Sequence, residues 1–187
     1  MGDEIMNYND YGGYDPYTYG QAVPYMQTMA MPAMPAQQTQ TDNIFLYPQN
    51  LQGALTLIQQ ATAGETEDRM FYTWLIEHAP SSEDKQIIAG IRDNEIGHYA
   101  LFRQLYYELT GRMLPQVQGE QFTPPANYCE GIARALMGEQ NAVQKYRKIL
   151  YAMQNRVHIN MMTEIITDEI RHGILYNYLY AKDECKS

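Results

Sequence analysis

Cysteine is nearly absent from this 187-residue chain, which has only Cys129 and Cys185, far apart. With no Cys-x-x-Cys, the sequence offers no four-thiolate metal centre, no structural zinc and no disulfide framework. Apolar runs are short, and none approaches the roughly 20 residues of a membrane span. Lysine and arginine are missing from the first 43 positions, and Met1-Gly2-Asp3-Glu4-Ile5 opens on acid where a signal peptide needs base. Met6 stands where a myristoylation motif requires Ser or Thr. The formal net charge of −9 disfavours nucleic acid as a partner. These absences together predict a cytoplasmic protein with neither a membrane nor a nucleic-acid partner.

Residues 1–43 differ from the rest. They are rich in Tyr, Met, Pro, Gly and Gln, as in Tyr11-Gly12-Gly13-Tyr14-Asp15-Pro16-Tyr17. Such composition buries too little apolar surface to fold, so the segment reads as a disordered low-complexity tail. Its tyrosines are suited to weak multivalent contacts, and a passive extension is an equal alternative. Residues 44–187 are one domain's worth of chain.

That domain is internally duplicated. Glu95-Ile96-Gly97-His98 and Glu169-Ile170-Arg171-His172 are two Glu-x-x-His tetrads, each preceded at equal distance by a further glutamate, Glu65 and Glu139. Each upstream glutamate follows a glycine, Gly64 or Gly138, and is itself followed seven positions later by a tyrosine, Tyr72 or Tyr146. In a chain of this composition one such tetrad arises by chance about 0.3 times, so a single copy would mean little. A second copy with matching Glu and Tyr offsets is not a coincidence.

Helical geometry gives the spacing its meaning. Positions i, i+3 and i+7 share one helix face, so Glu95 and His98 point the same way, as do Glu65 and Tyr72. Pro80, followed by Ser81-Ser82, lies midway between Glu65 and Glu95 and reads as a helix stop with a serine-capped restart. Asn155 plays the same part near the middle of the second unit. Each unit is thus a helical hairpin with its two glutamates level, and helices are expected over 48–79, 82–110, 125–153 and 156–182. The apolar stripes agree: Ile88, Ile91, Phe102 and Leu105 flank Glu95 and His98, and Met162, Ile165, Tyr176 and Leu179 flank Glu169 and His172. Charged residues inside core stripes are what a metal site requires and a plain bundle avoids.

Packing the hairpins together places four carboxylates and two imidazoles in one layer. Four buried carboxylates need neutralising, which two divalent ions would do. Mixed carboxylate and imidazole donors suit iron, manganese or zinc. The link from Gly111 to Pro125 carries three prolines and no helical period, so it is expected to be extended. About 14 extended residues reach about 46 Å, enough to cross a 28-residue helix of about 42 Å. Both a crossover topology and a simple up-down order remain open. His78 and His158 fall outside the duplicated register near helix ends and are expected to be solvated or capping.

The two Glu-x-x-His tetrads with their upstream glutamates resemble the ferritin-like superfamily, and within it the rubrerythrin-like di-iron proteins, over about residues 48 to 182. The resemblance implies an all-α, ferritin-like four-helix bundle with two iron ions, manganese being possible. Glu65 and Glu139 would be terminal ligands, Glu95 and Glu169 bridging ones, and His98 and His172 one imidazole per metal. Tyr72 and Tyr146 would hydrogen-bond to ligand carboxylates of the opposite hairpin. It further implies an oxidoreductase acting on dioxygen or hydrogen peroxide, an electron-donor protein and a homo-oligomer.

This chain departs from that pattern in two places. Family members typically carry a rubredoxin domain and an extra glutamate one turn from the third-helix ligand, whereas Leu136 and Ala142 flank Glu139 here. The six-ligand set is similar to the symmetric ferroxidase centre of bacterioferritin-like proteins. Iron oxidation therefore gains ground on peroxide reduction. The competing readings are a structural or coat-assembly protein that works through its tail, and a hydrolase or dimanganese catalase.

Overall fold

The computed structural model describes residues 43–114 and 122–185, and the expectation for the N-terminal tail lies outside them. Five helices follow one another: α1 Leu51–Ala63, α2 Glu65–His78, α3 Ser82–Thr110, α4 Tyr128–Leu150 and α5 Arg156–Lys182. The first expected helix is therefore two, broken at Gly64. Glycine is the weakest non-proline helix former, and the acidic run Glu65, Glu67 and Asp68 suits the positive end of a new helix. The fourth rod matches its expected span, and the third is shorter at both ends, starting later because Asn127 caps it, accepting from the Glu130 N–H at 2.9 Å, and ending at Leu150.

The serine-capped restart after Pro80 is a capping box. Asp84 N–H donates to Ser81 Oγ at 3.2 Å, and Ser81 N–H donates to Asp84 Oδ2 at 3.0 Å. Asn155 caps α5 through the Val157 N–H at 2.8 Å. Gly111 ends α3 in the left-handed region at φ 70°, and its N–H closes on the Tyr107 carbonyl at 2.8 Å.

Polar pairs at both ends fix α3 antiparallel to α5. Asp84, fully buried near the start of α3, pairs with Lys182 at the end of α5. At the opposite end His158 is buried and lies 2.7 Å from Glu108. This corrects the expectation for His158: α5 begins where α3 ends, and the meeting buries the imidazole against a carboxylate. His78 is exposed near the end of α2, stacked on Trp74 with ring centroids 4.0 Å apart. Because α3 and α4 both run opposite to α5, they run parallel to one another. The described ends of the connection agree, Leu114 packing on one apolar cluster and Phe122 on the other, and the parallel order decides the topology left open by the sequence. The expected extended middle of that link, residues 115–121, lies outside the described residues.

The core has two apolar clusters. One gathers Ile58, Phe102, Leu105, Ile149, Met162 and Ile165, and the other Leu75, Ile88, Ile91, Ile132, Tyr176 and Leu179. Full burial of each aliphatic side chain stabilises the fold by roughly 1.5–3 kcal/mol. Along α5 the clusters are separated by Glu169 and His172, and along α3 by Glu95 and His98, so the polar layer sits between two apolar plugs. The helices α2 and α4 approach closely at Gly131, where a Cβ would lie 2.6 Å from Leu75 Cδ2.

The two cysteines are bonded to each other. Cys129 in the first turn of α4 meets Cys185 just beyond α5, with Cα atoms 5.3 Å apart. The sequence reading saw no disulfide because the partners lie 56 residues apart with no motif; it is the antiparallel pairing of α4 and α5 that brings them together. Closing so long a loop restricts the unfolded chain, so reduction or Cys185→Ser should lower stability by about 2–4 kcal/mol. Urea unfolding with and without reductant checks this, and the Cys185→Ser protein should not respond to reductant.

Candidate metal centre

Glu95 and His98 lie one turn apart on α3, Glu169 and His172 one turn apart on α5, and the antiparallel register sets the two tetrads face to face. The contacts are crossed. His172 Nδ1 lies 3.0 Å from Glu95 Oε1, and His98 Nδ1 lies 3.1 Å from Glu169 Oε1. All four of these atoms are buried, and none has hydrogen-bonding geometry to any partner. An orphaned buried polar atom is costly and rare. The two pairs are related by the duplication, and each sets an imidazole nitrogen against a carboxylate oxygen, donors that could hold a metal ion.

Glu139 from α4 completes the cluster. Glu95, Glu139, Glu169 and His172 offer ligand atoms that all lie within 4.8 Å of one another. Glu95 Oε2 also reaches to 3.4 Å from His98 Nδ1, so Glu95 touches both imidazoles, whose ring centroids are 5.9 Å apart. Of the six expected ligands five are thus brought together. The sixth, Glu65, is not: at the first position of α2 its carboxylate pairs with Arg103 on α3.

The outer imidazole nitrogens are held too. His98 Nε2 lies 3.2 Å from Asp168 Oδ2, and His172 Nε2 lies 3.4 Å from Asn94 Oδ1. Both oxygens accept, so each Nε2 carries a proton, and Nδ1 is the nitrogen left to face a cation. Arg171 joins these supports, donating to Asp168 at 2.7 Å and to Asn94 at 2.9 Å. Asn94 and Asp168 went unremarked in the sequence, although each immediately precedes its tetrad and they match under the duplication.

Tyr72 and Tyr146 make no hydrogen bond to a carboxylate among the described residues. Burial first, and then Tyr176 and the charges of Glu95 and Glu139, push the Tyr72 phenol well above its ordinary pKa. Burial, with Glu169 and Glu95, does the same to Tyr146. Both remain protonated beside the acidic layer. The tyrosine that does bond a carboxylate is Tyr99, which donates to Asp68. Sequence reasoning missed this pair; the available signal was that Asp68, one turn beyond Glu65 and one before Tyr72, lies on the same helix face.

Without a cation the layer neutralises itself with protons. Burial, reinforced by Glu95, pushes Glu139 up to about 8. Burial, reinforced by Glu139 and Glu95, pushes Glu169 up to about 9 against the pull of His98. Burial alone would lower His98, but the neighbouring Glu169 and Glu95 outweigh it and carry the imidazole up to about 10. Glu95 is lowered, since His172 and His98 outweigh its burial. A cleft of about 330 Å³, lined by Asp68, Glu95, Tyr99, Glu139, Lys145 and Glu169, opens the layer to the outside. Oxygen and imidazole donors, buried charge needing neutralisation and orphaned atoms facing one another all fit a pair of divalent transition-metal ions.

This geometry agrees with comparisons to known proteins. The rubrerythrin family model matches residues 56–180, which hold every residue of the cluster. The chain belongs to the rubrerythrin family. Its relatives include YhjR of Bacillus subtilis (strain 168), 31% identical over 121 residues that make up 65% of this chain and 82% of YhjR. A hypothetical protein of Pyrococcus furiosus shares the fold, with a TM-score of 0.56 at 22% identity over 70% of this chain and 88% of the other. YhjR is described as uncharacterized, so activity is argued from this chain's own residues. As a rubrerythrin, the chain differs from the pattern of that family in having its two cysteines in a disulfide, with none left for a rubredoxin-type centre.

Proposed function

We propose that this protein is a di-iron oxidoreductase that reacts Fe(II) with dioxygen or hydrogen peroxide, as a ferroxidase or a rubrerythrin-like peroxidase. The observation that carries the reading is the pair of crossed, unpartnered contacts, His172 with Glu95 and His98 with Glu169. Glu95, Glu139, Glu169, His98 and His172 would hold the ions directly, with Glu65 as a sixth ligand and manganese as a possible substitute. A bound pair of ferrous ions supplies one electron each to an O–O bond.

The chain does the rest. Carboxylates from four helices would balance the charge of the ions and could shift as that charge changes. Asp168 and Asn94 hold the imidazoles in the binding tautomer, Tyr72 and Tyr146 keep phenolic protons beside the layer, and the cleft past Asp68 admits a small oxidant while the apolar plugs exclude bulk water from the other sides. No glutamate lies one turn from Glu139, where Leu136 and Ala142 stand instead, and this favours iron oxidation over peroxide reduction. An electron-donor protein and a homo-oligomeric state belong to the same proposal. So does a cytoplasmic location. No helix among the described residues is long and apolar enough to cross a membrane, whereas the Cys129–Cys185 disulfide counts against a reducing compartment.

The full chain, stripped of metal and given two equivalents of Fe(II), should oxidise them with dioxygen or peroxide faster than free Fe(II) at the same pH. Stopped-flow absorbance follows this. Iron that binds without accelerated oxidation by either oxidant would sink the enzyme and leave the structural reading in its place.

A further inference from the structure

The duplication is exact for the ligands but not for their surroundings. Under the shift that carries Glu95 onto Glu169, Asp68 falls on Ala142, Tyr99 on Gly173 and Arg103 on Asn177. The first half therefore carries a carboxylate, a phenol and a guanidinium where the second carries small or neutral residues. The structure shows what these extra groups do. Arg103 holds Glu65, and Tyr99 donates to Asp68. The equivalent of Glu65 in the second half, Glu139, has no such restraint and is buried among the converging ligands.

The two halves thus differ in readiness. Around His172, ligand atoms of Glu95, Glu139 and Glu169 are already gathered within 4.8 Å of one another and of the imidazole. Around His98, buried to 3% exposure with its Nδ1 unpartnered, Glu95 and Glu169 are in place, while the other available carboxylates are tied elsewhere. Asp68 and Tyr99 line the same cleft as Glu95 and Glu169, so Asp68 borders the same space as those two carboxylates. Gly64, at the junction of α1 and α2 just before Glu65, gives the backbone a point of adjustment.

Resting on the dinuclear reading above, we propose that the centre loads in two unequal steps. The first ion enters the ready half at His172. The second binds at His98 by taking Glu65 from Arg103 and Asp68 from Tyr99, so that Asp68 is a further ligand and Arg103 and Tyr99 set the second ion's affinity. A cation must compete with an ion pair for Glu65 and with a phenol for Asp68, which weakens this site relative to its twin. The same competition makes the second ion the exchangeable one.

Mn(II) binding to the metal-free full chain, counted by paramagnetic resonance of the free ion, tests this without turnover. The native protein should bind two ions with affinities about tenfold or more apart. Arg103→Gln and Tyr99→Phe should tighten the weaker ion by about tenfold, and Asp68→Asn should weaken it by about as much, the size expected for partners of metal ligands. The tighter ion should be unchanged in all three. Effects of opposite sign on one ion are not produced by a folding defect, and the constant tight ion controls for it. Two ions of equal affinity that ignore all three substitutions would overturn unequal loading while leaving the dinuclear centre standing. A native chain that binds fewer than two Mn(II) would overturn both.

Discussion

Glu95→Ala or Glu169→Ala should release both metal ions together and cut Fe(II) oxidation by about a hundredfold or more. Glu95 lies against both imidazoles, at 3.0 Å from His172 Nδ1 and 3.4 Å from His98 Nδ1. Glu169 lies 3.1 Å from His98 Nδ1 and shares the group of converging atoms with His172. Removing either takes a ligand and a negative charge from both halves at once. Partners that only support a ligand typically cost 10–100-fold in affinity, roughly the loss expected for Asp168→Ala, and a ligand common to both ions should cost more. Metal analysis of the purified variants, alongside the oxidation rate, reads both effects. A variant that loses one ion and keeps the other would show that these glutamates do not bridge.

Metal removal should lower the melting temperature by about 10–20 °C near neutral pH. Two ions, each at 100 times its dissociation constant, together stabilise the native state by about 5.4 kcal/mol, and for a chain of this size each kcal/mol moves the melting point by about 2–4 °C. The effect should depend on pH with a definite sign. Glu139 and Glu169, pushed up to about 8 and about 9, sit above their ordinary value of 4.5, so folding takes up protons. Their contribution to stability is fully present below about pH 4.5 and is lost as pH rises through 8 and 9. His98, raised from 6.5 to about 10, acts in the same direction, its contribution being lost as pH rises through about 10. Glu95, lowered, acts oppositely, but only as pH falls below the ordinary carboxylate range. The metal-free protein should therefore lose stability steadily from pH 5 to 9. Divalent ions need deprotonated ligands, so the metal-bound protein gains over the same range and the gap between the two widens. Thermal scans at pH 5, 7 and 9 with and without Mn(II) check this; a metal-free protein whose melting point rises from pH 5 to 9 would contradict the clustering of these carboxylates.

The ligand layer was legible in the sequence because duplication repeats an improbable pattern. Charges inside apolar stripes at helical spacing leave few arrangements other than a layer of converging side chains, and five of the six residues expected as ligands converge there. The residues that escaped did so for physical reasons. Asn94 and Asp168 are polar neighbours of charged ligands and look like part of a solvated face until the antiparallel register brings each to the imidazole of the other helix. Asp68, Tyr99 and Arg103 have no counterparts in the second half, so symmetry could not reveal them, and the placement of Glu65 follows from Arg103. The α1–α2 break turns on a single glycine inside a sequence whose periodicity continues past it. His158 and the Cys129–Cys185 pair depend on which helix ends meet, a property of topology that local pattern does not carry.

In the proposed centre two metal ions would lie side by side between His98 and His172, bridged by Glu95 and Glu169. Anomalous X-ray scattering from a crystal of the iron-loaded protein tests it most directly. Two iron peaks about 3.5–4 Å apart, one beside each Nδ1, are the result this geometry predicts. One peak, or iron bound elsewhere on the chain, would contradict it.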